Sequence, residues 1–226
     1  MADPPETAER IAREAAKAHK RAEVSRLHEL AQACVACDLS RTRTRVAFGT
    51  GNPASPLMLI GEGPGANEDA IGEPFVGPAG KLLDACLHAA GMKREHIYLT
   101  NIVKCRAAFE QAGRILNRPP SAEELDLCVP LWLHKQIETI QPLVICCIGG
   151  PAAKTIISPS LGIMRDHGRF FDCKYAPYAI AALHPAYILR LEGHAYESAR
   201  QGLVNDLASA KDKAIAAKSE PKRALL

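Results

Sequence analysis

The sequence predicts a three-layer α/β fold, in which a central, mostly parallel sheet of four strands lies between two layers of helices. Apolar segments with strand character alternate along the chain with segments of helical periodicity, and this alternation is typical of parallel sheets covered by helices. Residues 143–148 are apolar without interruption, as expected for a central strand buried on both faces. The length of 226 residues suits one core, because single domains usually hold roughly 100 to 250 residues.

The first part of the chain contains one long predicted helix and one strand. Good helix formers fill residues 6–32, and their apolar spacing predicts that the second half of the helix packs through Val24, Leu27, Leu30 and Ala31. Residues 39–56 are rich in Arg, Thr, Gly, Asn and Pro, which predicts irregular chain. Residues 57–60 then predict a short buried strand that ends at Gly61.

The middle of the chain repeats this order of strand and helix. A turn-rich segment reaches Gly77, after which residues 81–90 predict a helix that Gly91 caps. Residues 96–103 predict the second strand. We therefore expect a second strand beside the first, with the helix between them lying on one face of the sheet.

Two further helical regions and two strands follow. Ser121 and Glu124 have the spacing of a capping box, so we expect a helix there that Pro130 interrupts and that resumes to about residue 140. Pro151 is suited to begin the next helix, residues 178–183 predict the last strand, and residues 197–218 predict a closing helix. The expected organisation is a helical extension, one domain, and a helix end with a disordered tail, at 1–33, 34–205 and 206–226.

Composition narrows the class of protein. Hydrophobic residues make up 47% and charged residues 23%, and no apolar run approaches the roughly 20 residues of a membrane span. The N-terminal segment lacks the pattern of a secretory signal, so we expect a cytoplasmic protein. We also expect no contact with membranes, and a monomer as the default oligomeric state. The net charge of +3 permits binding to nucleic acid but does not indicate it by itself.

Eight cysteines in a cytoplasmic chain are expected to be thiols or metal ligands rather than disulfides. Cys34 and Cys37 form a C-x-x-C pair after a helix, Cys105 follows the second strand, and Cys128 lies in the capped helical region. Cys₄ zinc sites usually use two tight pairs, so one pair and two single cysteines favour an iron–sulfur cluster, with zinc or buried thiols as alternatives. The other four lie in apolar patterns and are expected in the core: Cys86, Cys146, Cys147 and Cys173.

Three sequence blocks resemble those of the family 4 (iron–sulfur) uracil-DNA glycosylases, in the uracil-DNA glycosylase superfamily. They are GEGPGANEDAIGEPFVGPAGKLLD at 61–84, TNIVKCR at 100–106 and HPAYILR at 184–190. The resemblance covers about residues 34–200. It implies a four-stranded parallel sheet and excision of uracil from single- and double-stranded DNA, leaving an abasic site. It also implies a structural 4Fe–4S cluster on Cys34, Cys37, Cys105 and Cys128.

The resemblance also implies roles for the first block. Gly61 and Gly63 let the backbone come close to a base or phosphate, and Glu62 is the candidate that places the attacking water. Glu68 and Asp69 are the substitutes for that role. Taken without the resemblance, the same residues are compatible with an ordinary tight turn after a strand.

The remaining blocks supply candidates for recognition and catalysis. Phe75 resembles the ring that stacks on uracil, and the amide of Asn101 matches uracil O4 and N3–H. His184 resembles the histidine that hydrogen-bonds uracil O2, whereas Lys104 and Arg190 suit phosphate contacts. A core aromatic, a turn-forming asparagine and a loop histidine are the alternative interpretations.

Two features depart from the family pattern. Ala186 stands where the family usually has serine, and residues 107–120 form a longer segment than expected. In a related group, a histidine in this segment becomes bonded to the abasic sugar. Here the segment contains Arg114 and Arg118, expected to contact phosphates, but no histidine.

The nearest match to that reactive histidine is Leu116 or Asn117, neither of which is an effective nucleophile. We therefore expect a glycosylase that turns over. The alternatives are a relative that crosslinks to DNA and a non-catalytic iron–sulfur DNA-binding module.

Overall fold

The computed structural model describes residues 4–220, which contain two β-sheets. The strands are, in chain order, β1 (Thr50–Gly51), β2 (Leu57–Gly61), β3 (Tyr98–Asn101), β4 (Ala108–Gln111), β5 (Arg114–Asn117), β6 (Val144–Ile148), β7 (Phe170–Cys173) and β8 (Ala176–Ala182). Six of them form one sheet in the order β1-β3-β2-β6-β8-β7, and β4 and β5 form a separate hairpin.

The helices cover both faces of the larger sheet. They are α1 (Pro4–Gln32), α2 (Leu39–Thr42), α3 (Ala66–Ile71), α4 (Pro78–Ala89), α5 (Ala122–Cys128), α6 (His134–Ile140), α7 (Gly150–Ile156), α8 (Ile163–Asp166), α9 (Pro185–Ile188) and α10 (Gly193–Ala216). A π-helical turn, Val129–Leu133, joins α5 to α6, and 3₁₀ turns occupy Arg94–His96 and Ala217–Ser219.

The four central strands β3, β2, β6 and β8 pair in parallel, as expected from the alternation of strands and helices. The predicted α/β class is therefore confirmed, but the sheet has six strands rather than four. The additional strands, β1 and β7, pair antiparallel at the two edges. The sequence gives little sign of them because β1 has two residues and β7 is mostly solvent-accessible, so neither has a continuous apolar pattern.

Alternate residues of the central strands enter two separate cores, because successive side chains point to opposite faces. On one face, Met58 and Ile60 pack with Leu133 and Ile137 near α6. On the other, Leu59 and its neighbours pack against α4 and α10. The sheet is therefore covered on both sides, which explains the apolar run in β6.

The predicted capping box is present at the start of α5. The Ser121 hydroxyl accepts a hydrogen bond from the Glu124 N–H at 3.2 Å, and the Glu124 carboxylate accepts one from the Ser121 N–H at 2.8 Å. Pro130 interrupts the helix as expected, and the chain continues through the π-helical turn instead of ending. The wider turn accommodates a proline that has no N–H to donate.

Several segments expected to be irregular contain regular structure. Residues 39–56 include α2 and β1, the turn-rich segment before Gly77 includes α3, and residues 107–120 form the β4–β5 hairpin. The expected boundary at 205–206 falls inside α10, whose Leu207 remains buried. Of the segment 206–226, expected to be a helix end with a disordered tail, residues 221–226 lie outside the described residues, as do residues 1–3.

The N-terminal helix packs through a narrower stripe than predicted. Val24, Leu27 and Ala31 are buried against the domain, whereas Leu30 is 52% exposed, so the prediction for Leu30 is wrong. At 3.6 residues per turn, Leu30 lies roughly 90° around the helix from the centre of the buried stripe. Across the described residues, no helix is both long enough and apolar enough to span a membrane.

This difference between two leucines of α1 can be tested by comparing Leu27→Ala with Leu30→Ala. Leu27 is 3% exposed, so its truncation should lower the free energy of unfolding by about 2–5 kcal/mol. Truncation of the exposed Leu30 should change it by about 0.5 kcal/mol or less. Urea denaturation followed by circular dichroism measures both values, and equal losses would show that α1 packs differently.

Candidate functional site

A cleft of about 580 Å³ lies beyond the carboxyl ends of β2, β3 and β8. In parallel sheets this is the edge where ligands bind, because loops leaving several strands meet there. Residues of all three sequence blocks line it, together with the end of the β4–β5 hairpin. Among the lining residues are Glu62, Gly63, Glu68, Phe75, Asn101, Asn117, Arg118, His184 and Ala186.

Gly61 ends β2 at a point where two side chains converge. A Cβ atom on Gly61 would lie 2.4 Å from Oδ1 of Asn101 and 2.5 Å from Cζ of Phe75. Real carbon contacts are never this short, so only glycine permits the amide and the aromatic ring to approach each other across the strand end. Gly63 is similarly restricted, since its Cβ would lie 2.9 Å from Cγ2 of Val103.

Phe75 is buried in the cleft wall with a left-handed backbone, at φ +57°. This conformation is unusual for a residue other than glycine and has to be held by its surroundings. The Arg94 guanidinium donates to the carbonyl oxygens of Pro74 and Phe75, at 3.1 and 2.5 Å. The ring therefore has a fixed position beside Asn101.

The acidic residues of the first block differ in what they bind. Glu68 accepts hydrogen bonds from the N–H groups of Gly65, Val76 and Gly77, at 3.1, 2.9 and 2.8 Å. It therefore ties the start of α3 to the Phe75 loop. Asp69 accepts from the Thr44 N–H at 2.9 Å. Both carboxylates are thus engaged by backbone groups.

Of the three acidic candidates, Glu62 is the one whose carboxylate is not engaged by these backbone N–H groups. It is partly buried on the cleft wall, and burial raises its pKa above the ordinary value of 4.5. The charged form of a partly buried carboxylate is stabilised when it accepts a hydrogen bond from water or a ligand. The prediction that this block orients water therefore falls on Glu62 rather than on Glu68 or Asp69.

His184 caps the short helix α9 and lines the cleft. Its Nδ1 accepts a hydrogen bond from the Ala186 N–H at 3.0 Å. The pKa of His184 is lowered to about 4, mainly by burial and also by the positive charge of Arg190, whereas Glu68 opposes the shift. The imidazole is therefore neutral near pH 7, and because Nδ1 is an acceptor, its proton is on Nε2.

Two contacts fix the position of this imidazole. Gly149, at φ +98°, lies so close that a Cβ there would be 3.0 Å from Cβ of His184. On the other side, the centroids of the Phe75 and His184 rings are 6.2 Å apart. Gly149 was not predicted to be part of the site, because the double glycine at 149–150 indicates only a turn between strand and helix.

Lys104 does not have the surface position that its predicted phosphate contact requires. Its side chain is 1% exposed, and its ammonium donates to Thr100 Oγ1, the Asn101 carbonyl and Gln136 Oε1, at 2.7, 2.6 and 2.6 Å. Burial lowers the pKa of Lys104 to about 7. The predicted phosphate contact is thus corrected to an internal bond that holds the end of β3.

The three candidate arginines differ in their positions relative to the cleft. Arg118 pairs with Glu124 through two hydrogen bonds, at 2.8 and 2.5 Å, and also lines the cleft. Arg190 is exposed, with its guanidinium 5.9 Å from the centroid of the Tyr187 ring. Arg114 is exposed at the start of β5. Arg190 and Arg114 are therefore accessible to an external anion.

The four candidate cysteine ligands line a second, smaller pocket, beside the end of α1, α2 and α5. Trp132 Nε1 donates to Sγ of Cys34 at 3.3 Å, and the Arg43 guanidinium donates to Sγ of Cys105 at 3.5 Å. Neither donor was identified from the sequence. Within residues 4–220, no group of three or more His, Cys, Asp or Glu side chains is arranged to hold a metal ion. The other four cysteines are buried in the two cores, as predicted: Cys86, Cys146, Cys147 and Cys173.

Comparison with known proteins assigns this chain to a protein family. Residues 48–208 match the family described as the Uracil DNA glycosylase superfamily. The chain is 39% identical over 163 residues to the type-4 uracil-DNA glycosylase of Archaeoglobus fulgidus, covering 69% of this chain and 78% of the relative. It is 38% identical over 163 residues to that of Thermotoga maritima, covering 72% and 81%. The chain therefore belongs to the type-4 uracil-DNA glycosylases of this superfamily.

The internal role of Lys104 is tested by Lys104→Met, which keeps the apolar stem and removes the ammonium. Three buried acceptors then lose a donor, so the free energy of unfolding should fall by about 1–3 kcal/mol. Lys154→Met, on an exposed position of α7, is the matched control and should be close to neutral. Urea denaturation gives both values, and a Lys104→Met protein as stable as the wild type would exclude the internal role.

Proposed function

We propose that this protein is a monofunctional DNA-repair glycosylase, which extrudes uracil from single- or double-stranded DNA and hydrolyses its N-glycosidic bond. The observation that carries the proposal is the neutral His184 on the cleft wall. Its Nδ1 is occupied by the Ala186 N–H, so Nε2–H remains as a donor for a ligand. The membership of the chain in the type-4 uracil-DNA glycosylases supports the same function.

The cleft can select uracil through Asn101 and Phe75. An amide has one donor and one acceptor group, which match uracil N3–H and O4, whereas cytosine presents the opposite pair. The Phe75 ring, held beside the amide by the close approach over Gly61, provides a surface on which the base stacks. Stacking of this kind contributes about 1–3 kcal/mol per base. Cytosine would leave buried polar groups unpaired and is rejected.

The proposed reaction needs no covalent bond to the protein. Uracil leaves with the electron pair of the glycosidic bond, so negative charge develops on the base while the deoxyribose becomes oxocarbenium-like. The Nε2–H of His184 donates to uracil O2 as this charge develops, and a preorganised donor is most effective in such a water-poor site. Glu62 orients the water that adds to the anomeric carbon.

The end of the β4–β5 hairpin favours turnover over crosslinking to DNA. Asn117 lines the cleft, and its side-chain oxygen accepts a hydrogen bond from the Arg106 guanidinium at 2.7 Å. An amide engaged in this way is a poor nucleophile, so water captures the sugar and the abasic product dissociates. Arg190, Arg114 and Arg118 are proposed to contact DNA phosphates, because Arg118 lines the cleft and the other two are exposed.

We also propose that the cysteine pocket holds a 4Fe–4S cluster. The donor set fits, because such clusters take four cysteine thiolates and four cysteine side chains line this pocket. The ligands would be Cys34, Cys37, Cys105 and Cys128. When bound, the cluster supplies iron–thiolate bonds that tie the end of α1 and α5 to the chain just after β3, and it takes no part in excision.

The proposed function is tested by excision from a uracil-containing oligonucleotide, followed by alkali to cleave abasic sites. Wild-type protein should give cleaved strands over several turnovers. His184→Ala should slow single-turnover excision on the order of a hundredfold, because one preorganised donor is lost. His88→Ala, an exposed histidine on α4, should retain the wild-type rate.

Three outcomes would contradict this function. No excision by the wild type would favour a DNA-binding module, and a protein–DNA adduct that survives heat and SDS would favour a crosslinking enzyme. An unchanged rate in His184→Ala would remove this histidine from the mechanism.

The cluster is tested by metal and sulfide analysis of the purified protein. Wild-type protein should contain about four irons and four sulfides per chain and be brown. Cys128→Ala should lose most of the iron and the colour, whereas Cys147→Ala, in the buried strand β6, should retain both. Stoichiometric zinc without sulfide, or equal iron loss in the two variants, would overturn the assignment.

A further inference from the structure

Phe75 lies in the cleft wall with a backbone conformation that an aromatic residue rarely adopts. Its φ of +57° is left-handed, and a bulky side chain keeps such a strained conformation only when its surroundings fix it. Rotation about φ turns the Cα–Cβ bond, so relaxation to a negative φ would move the ring from its place beside Asn101. The position of the ring therefore depends on the groups that hold the peptides on either side of Phe75.

The carbonyl groups of this segment are bound by Arg94. Its guanidinium donates to the carbonyl oxygens of Pro74 and Phe75, at 3.1 and 2.5 Å, and hydrogen bonds from a charged donor are stronger than neutral ones. Its Nε donates to the Asp84 carboxylate at 2.8 Å, which helps to orient the guanidinium. Arg94 thus binds the acceptors of the segment, while Glu68 binds the N–H groups that follow Phe75.

Helix α4 leaves room for the Phe75 peptide at Gly80. A Cβ atom on Gly80 would lie 1.8 Å from the carbonyl oxygen of Phe75 and 2.1 Å from its carbonyl carbon. Contacts this short do not occur, so only glycine lets the first turn of α4 pack against this peptide. Gly80 permits the strained conformation but has no side chain that could bind the carbonyl group. Arg94 supplies that bond.

We propose that Arg94 is a positioning residue that sets the affinity of the cleft for extruded uracil, by holding the Phe75 ring where the base stacks. This inference rests on the proposed function, in which uracil stacks on Phe75. The Arg94 side chain is 25% exposed, and its hydrogen bonds go to Asp84 and the two carbonyl groups. An ion pair this accessible contributes little to stability, so loss of the guanidinium should act on the Phe75 segment rather than on the fold.

The test measures how strongly free uracil inhibits excision by the full-length protein, because free uracil occupies the cleft without the rest of the DNA. Arg94→Met keeps an unbranched side chain and removes the guanidinium. The inhibition constant for uracil should rise about tenfold, since part of the stacking on Phe75 is lost. Single-turnover excision should slow to a similar extent, whereas affinity for a uracil-free duplex, measured by fluorescence anisotropy, should not change.

A double-mutant cycle with Phe75→Ala separates this role from a general structural one. The Phe75→Ala protein has no ring to position, so adding Arg94→Met should change its uracil inhibition constant by less than about twofold. Arg94→Lys should lie between Arg94→Met and the wild type, because an ammonium is a charged donor without the planar fork that serves two carbonyl groups.

Arg26→Met is the matched control. Its guanidinium pairs with the Glu23 carboxylate on the exposed side of α1, at 2.9 and 2.6 Å, and its removal should leave uracil inhibition at the wild-type value. Circular dichroism verifies that each variant is folded. Arg94→Lys, alone and with Phe75→Ala, gives the same comparison with a smaller change, so the test does not depend on the folding of Arg94→Met.

Three outcomes overturn the inference. They are wild-type inhibition of Arg94→Met by uracil, an equal loss when Arg94→Met is added to Phe75→Ala, and the same loss in Arg26→Met. Failure of the proposed function gives a different result, because the wild-type protein would then excise no uracil. An active wild type with unaffected Arg94 variants would refute only the role proposed for Arg94.

Discussion

The close approach over Gly61 is the constraint on which the rest of the cleft depends. The last residue of β2 has to lack a side chain, since a Cβ there would overlap both the Asn101 amide and the Phe75 ring. Around this point the protein uses other interactions to hold strained or buried groups. Arg94 fixes the left-handed backbone at Phe75, and Glu68 binds three backbone N–H groups of the surrounding loops. The cleft is therefore formed by backbone geometry as much as by its side chains.

The end of β3 connects the cleft with the cysteine pocket. Lys104 binds the carbonyl of Asn101 and is followed directly by Cys105, so both sites share one short segment. A buried ammonium is costly unless its donors are satisfied, and here Thr100 and Gln136 complete its hydrogen bonds. Any displacement of this segment would move the amide of Asn101. This arrangement gives a structural reason why the proposed cluster would support the cleft without a role in the chemistry.

The site residues that could be predicted are those whose role follows from residue type and motif, whether the side chain is buried or exposed. Glu62, Asn101 and His184 all line the cleft, where the sequence blocks place them. Lys104 was misplaced because a lysine in a sequence is expected at the surface, and only the folded chain brings three acceptors to its ammonium. The hairpin was missed because its strands have four residues each and are mostly exposed, so they lack a strong apolar alternation.

The sequence alone determined the α/β class, the four parallel strands and the family, because strong apolar periodicity and ordered motifs are local properties of the chain. Only the tertiary structure decided the protonation of His184 and the backbone conformation of Phe75. The neutral imidazole results from burial together with the Ala186 N–H, and the left-handed backbone of Phe75 is held by Arg94. Burial and such contacts depend on residues far apart in the chain, so local sequence patterns do not specify them.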